Sequence, residues 1–124
     1  MAVVALDNRL LDLVDAGVKV DQIATGFEFT EGPLWNNRDK TLLFSDVRAR
    51  TMYIWSESDG ASVYRSPEAN GISNGNTWDR DGNLLTCEHA NRRVSRTLPD
   101  GTVESVWTVS GRPVSTAQTT SSRR

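Results

Sequence analysis

Cysteine is almost missing from this sequence. Cys87 is the single one in 124 residues, which excludes an intrachain disulfide framework and a thiolate zinc cluster. Long apolar runs are missing too, and none approaches the roughly 20 residues that a membrane-spanning helix needs. Met1 to Leu6 is apolar, but no basic residue precedes it and Asp7 interrupts it, so a secretory signal is not expected. An excess of positive charge is also lacking: the formal net charge is −2, with local clusters only at Arg92, Arg93 and Arg96 and at Arg123-Arg124. This argues against a nucleic-acid or polyanion binder. The absences together lead to the expectation of a reduced, soluble, cytoplasmic protein with no membrane partner. The length suits one modest domain.

What is present is a repeat. Leu6, Leu10, Leu11, Leu13 and Val14 follow the spacing of an amphipathic stripe, which predicts a short N-terminal helix over 5–14, ending near Gly17. Beyond it, short runs rich in Val, Ile, Phe, Tyr and Trp alternate with Gly, Asn, Asp and Pro, the pattern of successive strands. Two stretches then match each other. Trp35-Asn36, Leu42 to Asp46, Arg50 and Asp59-Gly60 correspond to Trp78-Asp79, Leu84 to Glu88, Arg92 and Asp100-Gly101, at offsets of 43, 42, 42 and 41 residues. A period near forty with four strands per unit marks a propeller blade. The predicted strands are 33–36, 41–46, 51–56 and 61–65, then 75–79, 83–88, 93–98 and 102–106. Asp59-Gly60 and Asp100-Gly101 fall where a tight hairpin turn requires positive φ. A single antiparallel sandwich with accidental periodicity is the plainer alternative.

The expected fold is therefore all-β: a partial β-propeller of about two four-stranded antiparallel blades with a short N-terminal helix. The expected organisation is 1–19 helix and lead-in, 20–106 two blades, and 107–124 a disordered tail rich in Ser and Thr. Two blades do not close a ring, and repeat arrays generally need about three units for stability.

The segment Thr25-Gly26-Phe27-Glu28-Phe29-Thr30-Glu31-Gly32-Pro33-Leu34-Trp35 resembles the opening of the SMP-30/gluconolactonase/luciferin-regenerating family, whose first inner strand begins Glu-Gly-Pro-x-Trp. Asn74-Gly75-Asn76-Thr77-Trp78-Asp79 and Cys87-Glu88-His89-Ala90-Asn91-Arg92-Arg93-Val94 carry the resemblance further, the latter being similar to bacterial gluconolactonases. The resemblance implies a six-bladed parent that holds one divalent cation, calcium or zinc, and hydrolyses a sugar lactone. It implies that Glu31 is a metal ligand, since a carboxylate fixed by Gly32 and Pro33 at the start of an inner strand suits a hard cation. The alternative for Glu31 is a solvated loop carboxylate. Asn74 matches a substrate-contacting Asn, whereas an Arg found two positions earlier in animal members is replaced by Ile72. Glu88 and His89 either bind substrate or shuttle a proton, or they form a hydrogen-bonded pair that stabilises the blade. Cys87 reads as a small buried residue rather than a nucleophile. Arg92 and Arg93 read as structural salt-bridge partners between blades.

On the residues, the resemblance ends after Val106, before the second metal ligand and the catalytic carboxylate of the family. Reading the third base of each codon with the first two of the next, Val114 to Ser122 can encode Leu-Asn-Ser-Pro-(Asn/Asp)-Asp-Val-Val, close to the family's continuation. The pairs from Ser110 to Pro113 do not recover the Glu-Gly-Lys that should precede it. This suggests a frameshift near residue 106, with an ordinary divergent terminus as the alternative. The expected function is a truncated, inactive lactone hydrolase that does not hold its cation tightly. The competing expectation is a non-catalytic propeller-type binding module completed by self-association through open sheet edges at 20–24 and 102–106.

Overall fold

Each half of the repeat folds into four consecutive antiparallel strands joined by short turns. In the computed structural model, which describes residues 3–108, the first sheet holds β1 (Thr30–Asn36), β2 (Thr41–Asp46), β3 (Thr51–Ser56) and β4 (Gly60–Arg65) in that order. The second holds β5 (Ser73–Trp78), β6 (Leu84–Glu88), β7 (Arg93–Thr97) and β8 (Val103–Thr108), again in chain order. A single helical turn, α1 (Pro67–Asn70), links them. These are the two meanders that the repeat predicts, and neither closes on itself.

The turns repeat along with the strands. Gly60 and Gly101 adopt φ of 68° and 84°, the left-handed conformation that the Asp-Gly pairs anticipate. Between the second and third strands of each sheet, Arg50 donates its N–H to the Val47 carbonyl and Arg92 donates to that of His89, each at 3.3 Å. Both arginines have positive φ, 56° and 48°.

A core forms where the sheets face each other. Leu43, Met52 and Leu84 are buried there, with Leu34, Ile54 and Trp78 packed around them. Side chains alternate across a strand, so Leu43 and Ser45 face blade 2 while Leu42, Phe44 and Asp46 face away. Toward one end of the joint the apolar layer gives way to a polar one. The Ser45 and Ser73 hydroxyls lie 2.8 Å apart, Ser45 Oγ donates to the Asn74 carbonyl at 3.0 Å, and Asn76 Nδ2 donates to the Gly32 carbonyl at 2.9 Å. Trp78 Nε1 donates to the Trp35 carbonyl at 3.1 Å. These bonds satisfy buried polar groups that would otherwise oppose docking.

The other face of blade 1 is covered by the lead-in. Phe27 packs edge-on against Phe44 and Tyr53, with centroids 4.9 Å from each. Asp46 accepts the backbone N–H groups of Glu28 at 2.7 Å, Phe29 at 3.1 Å and Ala49 at 3.2 Å. The far face of blade 2 has no such cover among the described residues. Cys87 is exposed there and Trp107 is 50% exposed.

Three expectations need correction. The N-terminal helix is one 3-10 turn, Asn8–Asp12, with none of its residues buried, and Leu6 and Leu13 stand 97% and 83% exposed. Among the described residues its stripe is only partly covered, with Leu10 and Val14 half-buried, and so short a helix is marginal without a full partner surface. Residues 20–24 form no strand, so the outer edges are β4 and β8, while β1 and β5 are the inner edge strands that meet at the blade joint. The second blade extends past residue 106, because Trp107 pairs with Val94 and Thr108 with Arg93. The expected disordered, out-of-frame tail otherwise falls on 109–124, outside the described residues. No described helix is long and apolar enough to cross a membrane.

Candidate functional site

The inner strands β1 and β5 position the first two candidates equivalently. Thr30 pairs with Asp46 and Ser73 pairs with Glu88, so the residues that follow, Glu31 and Asn74, occupy the same place in successive blades. Each strand then carries one extra residue, with register shifts between Glu31 and Leu34 and between Ser73 and Asn76. Such bulges re-aim side chains at the rim of a sheet. Both Glu31 and Asn74 are exposed.

Gly32 makes the inner strands meet. Its φ is 56°, and a Cβ there would lie 2.1 Å from the Asn74 carbonyl oxygen. No side chain fits, so the glycine of Glu31-Gly32-Pro33 is required for blade docking whatever Glu31 itself does.

Asn74, Glu88 and His89 come together along one open cleft of about 740 Å³, which Arg92 and Trp107 also line. Glu31 instead lines a smaller cleft of about 260 Å³ on the lead-in side of blade 1, beside Phe27, Pro33 and Trp55. The three substrate-binding candidates thus line one cleft and Glu31 lines another.

Glu88 and His89 do not form a pair. The Glu88 carboxylate is 3% exposed as a residue and its oxygens are engaged elsewhere. Oε2 accepts from Asn91 Nδ2 at 2.6 Å and Arg93 Nε at 2.7 Å, and Oε1 accepts from Arg93 Nη2 at 3.2 Å. Arg65 of blade 1 adds a longer ion pair at 4.0 Å. Burial pushes the Glu88 pKa up, but the bonds from Arg93 and Asn91 outweigh it and hold the group below the usual range. Those fixed donors keep the carboxylate ionised and poorly suited to proton exchange. His89 has no side-chain partner among the described residues and is exposed, leaving its imidazole free to meet a ligand.

The arginines divide their work. Arg93 holds Glu88 within blade 2, while the contact between blades comes from Arg65, whose Nη2 also donates to Thr97 Oγ1 at 2.7 Å. Sequence reasoning missed Arg65 because its partners lie in the next blade. The expected burial of Cys87 is corrected: it is exposed, because its side chain alternates onto the uncovered face of β6.

A cation site is not met by these residues. Calcium wants six or more oxygens and zinc four donors, whereas Glu31 offers one carboxylate. No group of three or more His, Cys, Asp or Glu able to hold a metal occurs among the described residues. No chemical step is therefore assigned to a metal.

Taken together, the two consecutive four-stranded meanders, docked inner strand to inner strand, define propeller-type blades. Residues 29–122 match the SMP-30/Gluconolactonase/LRE-like region model, and the chain belongs to that family. The match runs past residue 106, further than the motifs alone carry the resemblance. The chain is 26% identical over 102 residues to a gluconolactonase of Zymomonas mobilis subsp. mobilis, covering 73% of this chain and 29% of that protein. A solved structure assigned to the gluconolactonases superposes with a TM-score of 0.72 at 34% identity, over 83% of this chain and 35% of that one. The structure of a Xanthomonas campestris gluconolactonase, described as important in glucose secondary metabolic pathways, gives a TM-score of 0.57 at 30% identity, over 64% and 26%. The chain thus spans about a third or less of the relatives it matches.

Proposed function

We propose that this chain carries two blades of a gluconolactonase-type lactone hydrolase and that the two blades alone do not turn lactone over. The observation that carries the reading is the cleft on which Asn74 and His89 converge, within a chain of this family. The Asn74 amide can donate to and accept from sugar hydroxyls, and the unpartnered imidazole of His89 can do the same. Trp107 and Arg92 give the cleft an apolar wall and a positive charge that suit a sugar ring and the carboxylate of an aldonate product. Glu31, at the position equivalent to Asn74, would contribute one oxygen to a divalent cation whose other donors lie outside the described residues. A single carboxylate falls short of the donor set that calcium or zinc needs, which is the basis for expecting no catalysis from these two blades.

Two measurements test this. Purified 1–124, assayed with glucono-δ-lactone and added calcium or zinc, should hydrolyse it no faster than buffer; metal-dependent turnover overturns the inactivity. Gluconate titrated into isotope-labelled protein should shift the NMR signals of Asn74 and His89 first, and the ligand reading fails if those signals stay put at saturating gluconate.

The second reading, self-association of blades into a ring, has one observation in its favour, the uncovered apolar face of blade 2. The face that a neighbouring copy would have to meet is already occupied by Phe27 and the lead-in. A defined trimer in a size-exclusion mass measurement would support ring completion over the first reading.

A further inference from the structure

The segment connecting the blades holds an unusual backbone. Gly71 and Ile72 both adopt left-handed φ, 60° and 56°. For the β-branched Ile72 this is a true outlier, because its Cβ crowds the following carbonyl. Such conformations persist only where the surroundings over-determine them. Here two hydrogen bonds do so: His89 N–H donates to the Ile72 carbonyl and Ala90 N–H to the Gly71 carbonyl, each at 3.0 Å. They sew the entry to β5 onto the turn that follows β6.

Glu88 sits under that seam. A Cβ on Gly71 would lie 2.7 Å from Glu88 Oε2 and 2.5 Å from Asn91 Nδ2, so the connecting segment rests directly on the carboxylate and its partner. The same carboxylate holds Asn91 of the turn and Arg93 of β7, and Arg93 Nη1 reaches Ser105 Oγ on β8 at 2.8 Å. Arg65 approaches it from β4 across the blade boundary. The two ligand candidates flank the seam, with Asn74 two residues after Ile72 and His89 one residue after Glu88.

We infer that Glu88 is a positioning residue rather than a ligand contact: its carboxylate pins the Gly71-Ile72 segment and the 88–92 turn together, and so sets Asn74 and His89 at a fixed separation in one cleft. This rests on the reading of Asn74 and His89 as the residues that meet the sugar. It assigns Glu88 a role that neither substrate contact nor simple blade stabilisation describes, because the clasp acts on the path between the two candidates. Ile72 keeps its strained conformation only while the clasp is closed.

Amide hydrogen exchange on the full chain decides it. In Glu88→Gln, which keeps the side-chain shape and one acceptor oxygen, the His89 and Ala90 amides should exchange about tenfold faster or more, while those of β2 and β3 keep their rates, the signature of local opening. Asn91→Ala removes one partner of the carboxylate from an exposed turn and should give the same pattern at about threefold; it serves if Glu88→Gln fails to fold. Unchanged His89 and Ala90 rates overturn the proposal, and so does acceleration spread equally over both sheets. Gluconate affinity should fall about tenfold in Glu88→Gln, since misplaced contacts lose affinity without being removed. If the unaltered chain shows no gluconate shifts, the ligand reading fails while the exchange rates still decide whether the clasp exists.

Discussion

The two blades are built on one pattern, yet equivalent positions live in different surroundings. Leu43 is 3% exposed and Ser45 fully buried, because blade 2 lies on them. Their counterparts in blade 2, Leu85 and Cys87, are half-buried and exposed. The carboxylates that close the second strands differ as well: Asp46 is held by backbone amides of the lead-in, Glu88 by arginine and asparagine side chains. Burial in this molecule is thus a property of neighbours, not of the repeated unit. The lead-in stands on blade 1 where a preceding blade would, and blade 1 stands in that place for blade 2.

The sharpest way to break the comparison is at paired glycines. Gly32 and Gly75 occupy the same place in β1 and β5, but a Cβ on Gly75 meets nothing within 4 Å whereas one on Gly32 strikes the Asn74 carbonyl. Gly32→Ala should cost more than about 4 kcal/mol, the range reserved for backbone collisions and strain. Gly75→Ala should stay within about 0.5 kcal/mol. Urea unfolding of both variants measures the difference, and equal costs would mean that the inner strands are not docked as described.

The paired carboxylates come next. Both Asp46 and Glu88 are held below their usual pKa against the opposing effect of burial, Asp46 by amides of Glu28, Ala49 and Phe29 and Glu88 by Arg93 and Asn91. A depressed pKa adds stability that is present above the unfolded value, about 3.9 for Asp and 4.3 for Glu, and is lost as pH falls through the folded value. The chain should therefore lose stability progressively below about pH 4. At neutral pH, Glu88→Gln should weaken blade 2 by about 1–3 kcal/mol, because Arg93, whose side chain is 27% exposed, loses its counter-ion while the bonds within blade 1 stay in place. Asp46→Asn should cost about 1–3 kcal/mol, since only amide bonds weaken. Each variant should show a flatter acid limb by circular dichroism, and an unchanged limb in both would refute the assignment.

Much of this was readable from residues. The repeat fixed strand order, and Asp59-Gly60 and Asp100-Gly101 marked the hairpins because φ above zero is a local demand. The motif around Glu31 and the Asn74 spacing picked two residues that fall at one structural position. What the sequence did not reveal depends on contacts between blades. Arg65 lies 23 residues before Glu88, and nothing local links them. The strain at Ile72 comes from hydrogen bonds made by a turn after the next hairpin. The leucines of the N-terminal stripe have helical spacing, but periodicity proposes a buried face without supplying a surface to bury it on. Neither the cleft that Asn74 and His89 line nor the separate cleft that Glu31 lines is legible in the spacing of the motifs.

The smallest expected effect on stability gives the most direct view of the uncovered face. Cys87 is exposed on β6, and Ser45, its counterpart on β2, is fully buried under blade 2. In the native chain Cys87 should react with a thiol reagent such as DTNB at close to the rate of a free cysteine peptide. A cysteine placed at the buried site, Ser45→Cys in a Cys87→Ser background, should react about a hundredfold more slowly, since it must await opening of the blade joint. Cys87→Ser alone should change stability by less than about 0.5 kcal/mol. If Cys87 proves protected and its protection falls on dilution, a second copy covers the face and the self-association reading gains the support it lacks. If protection persists at every concentration, the cover lies within the chain and the described surface of blade 2 is not an open one.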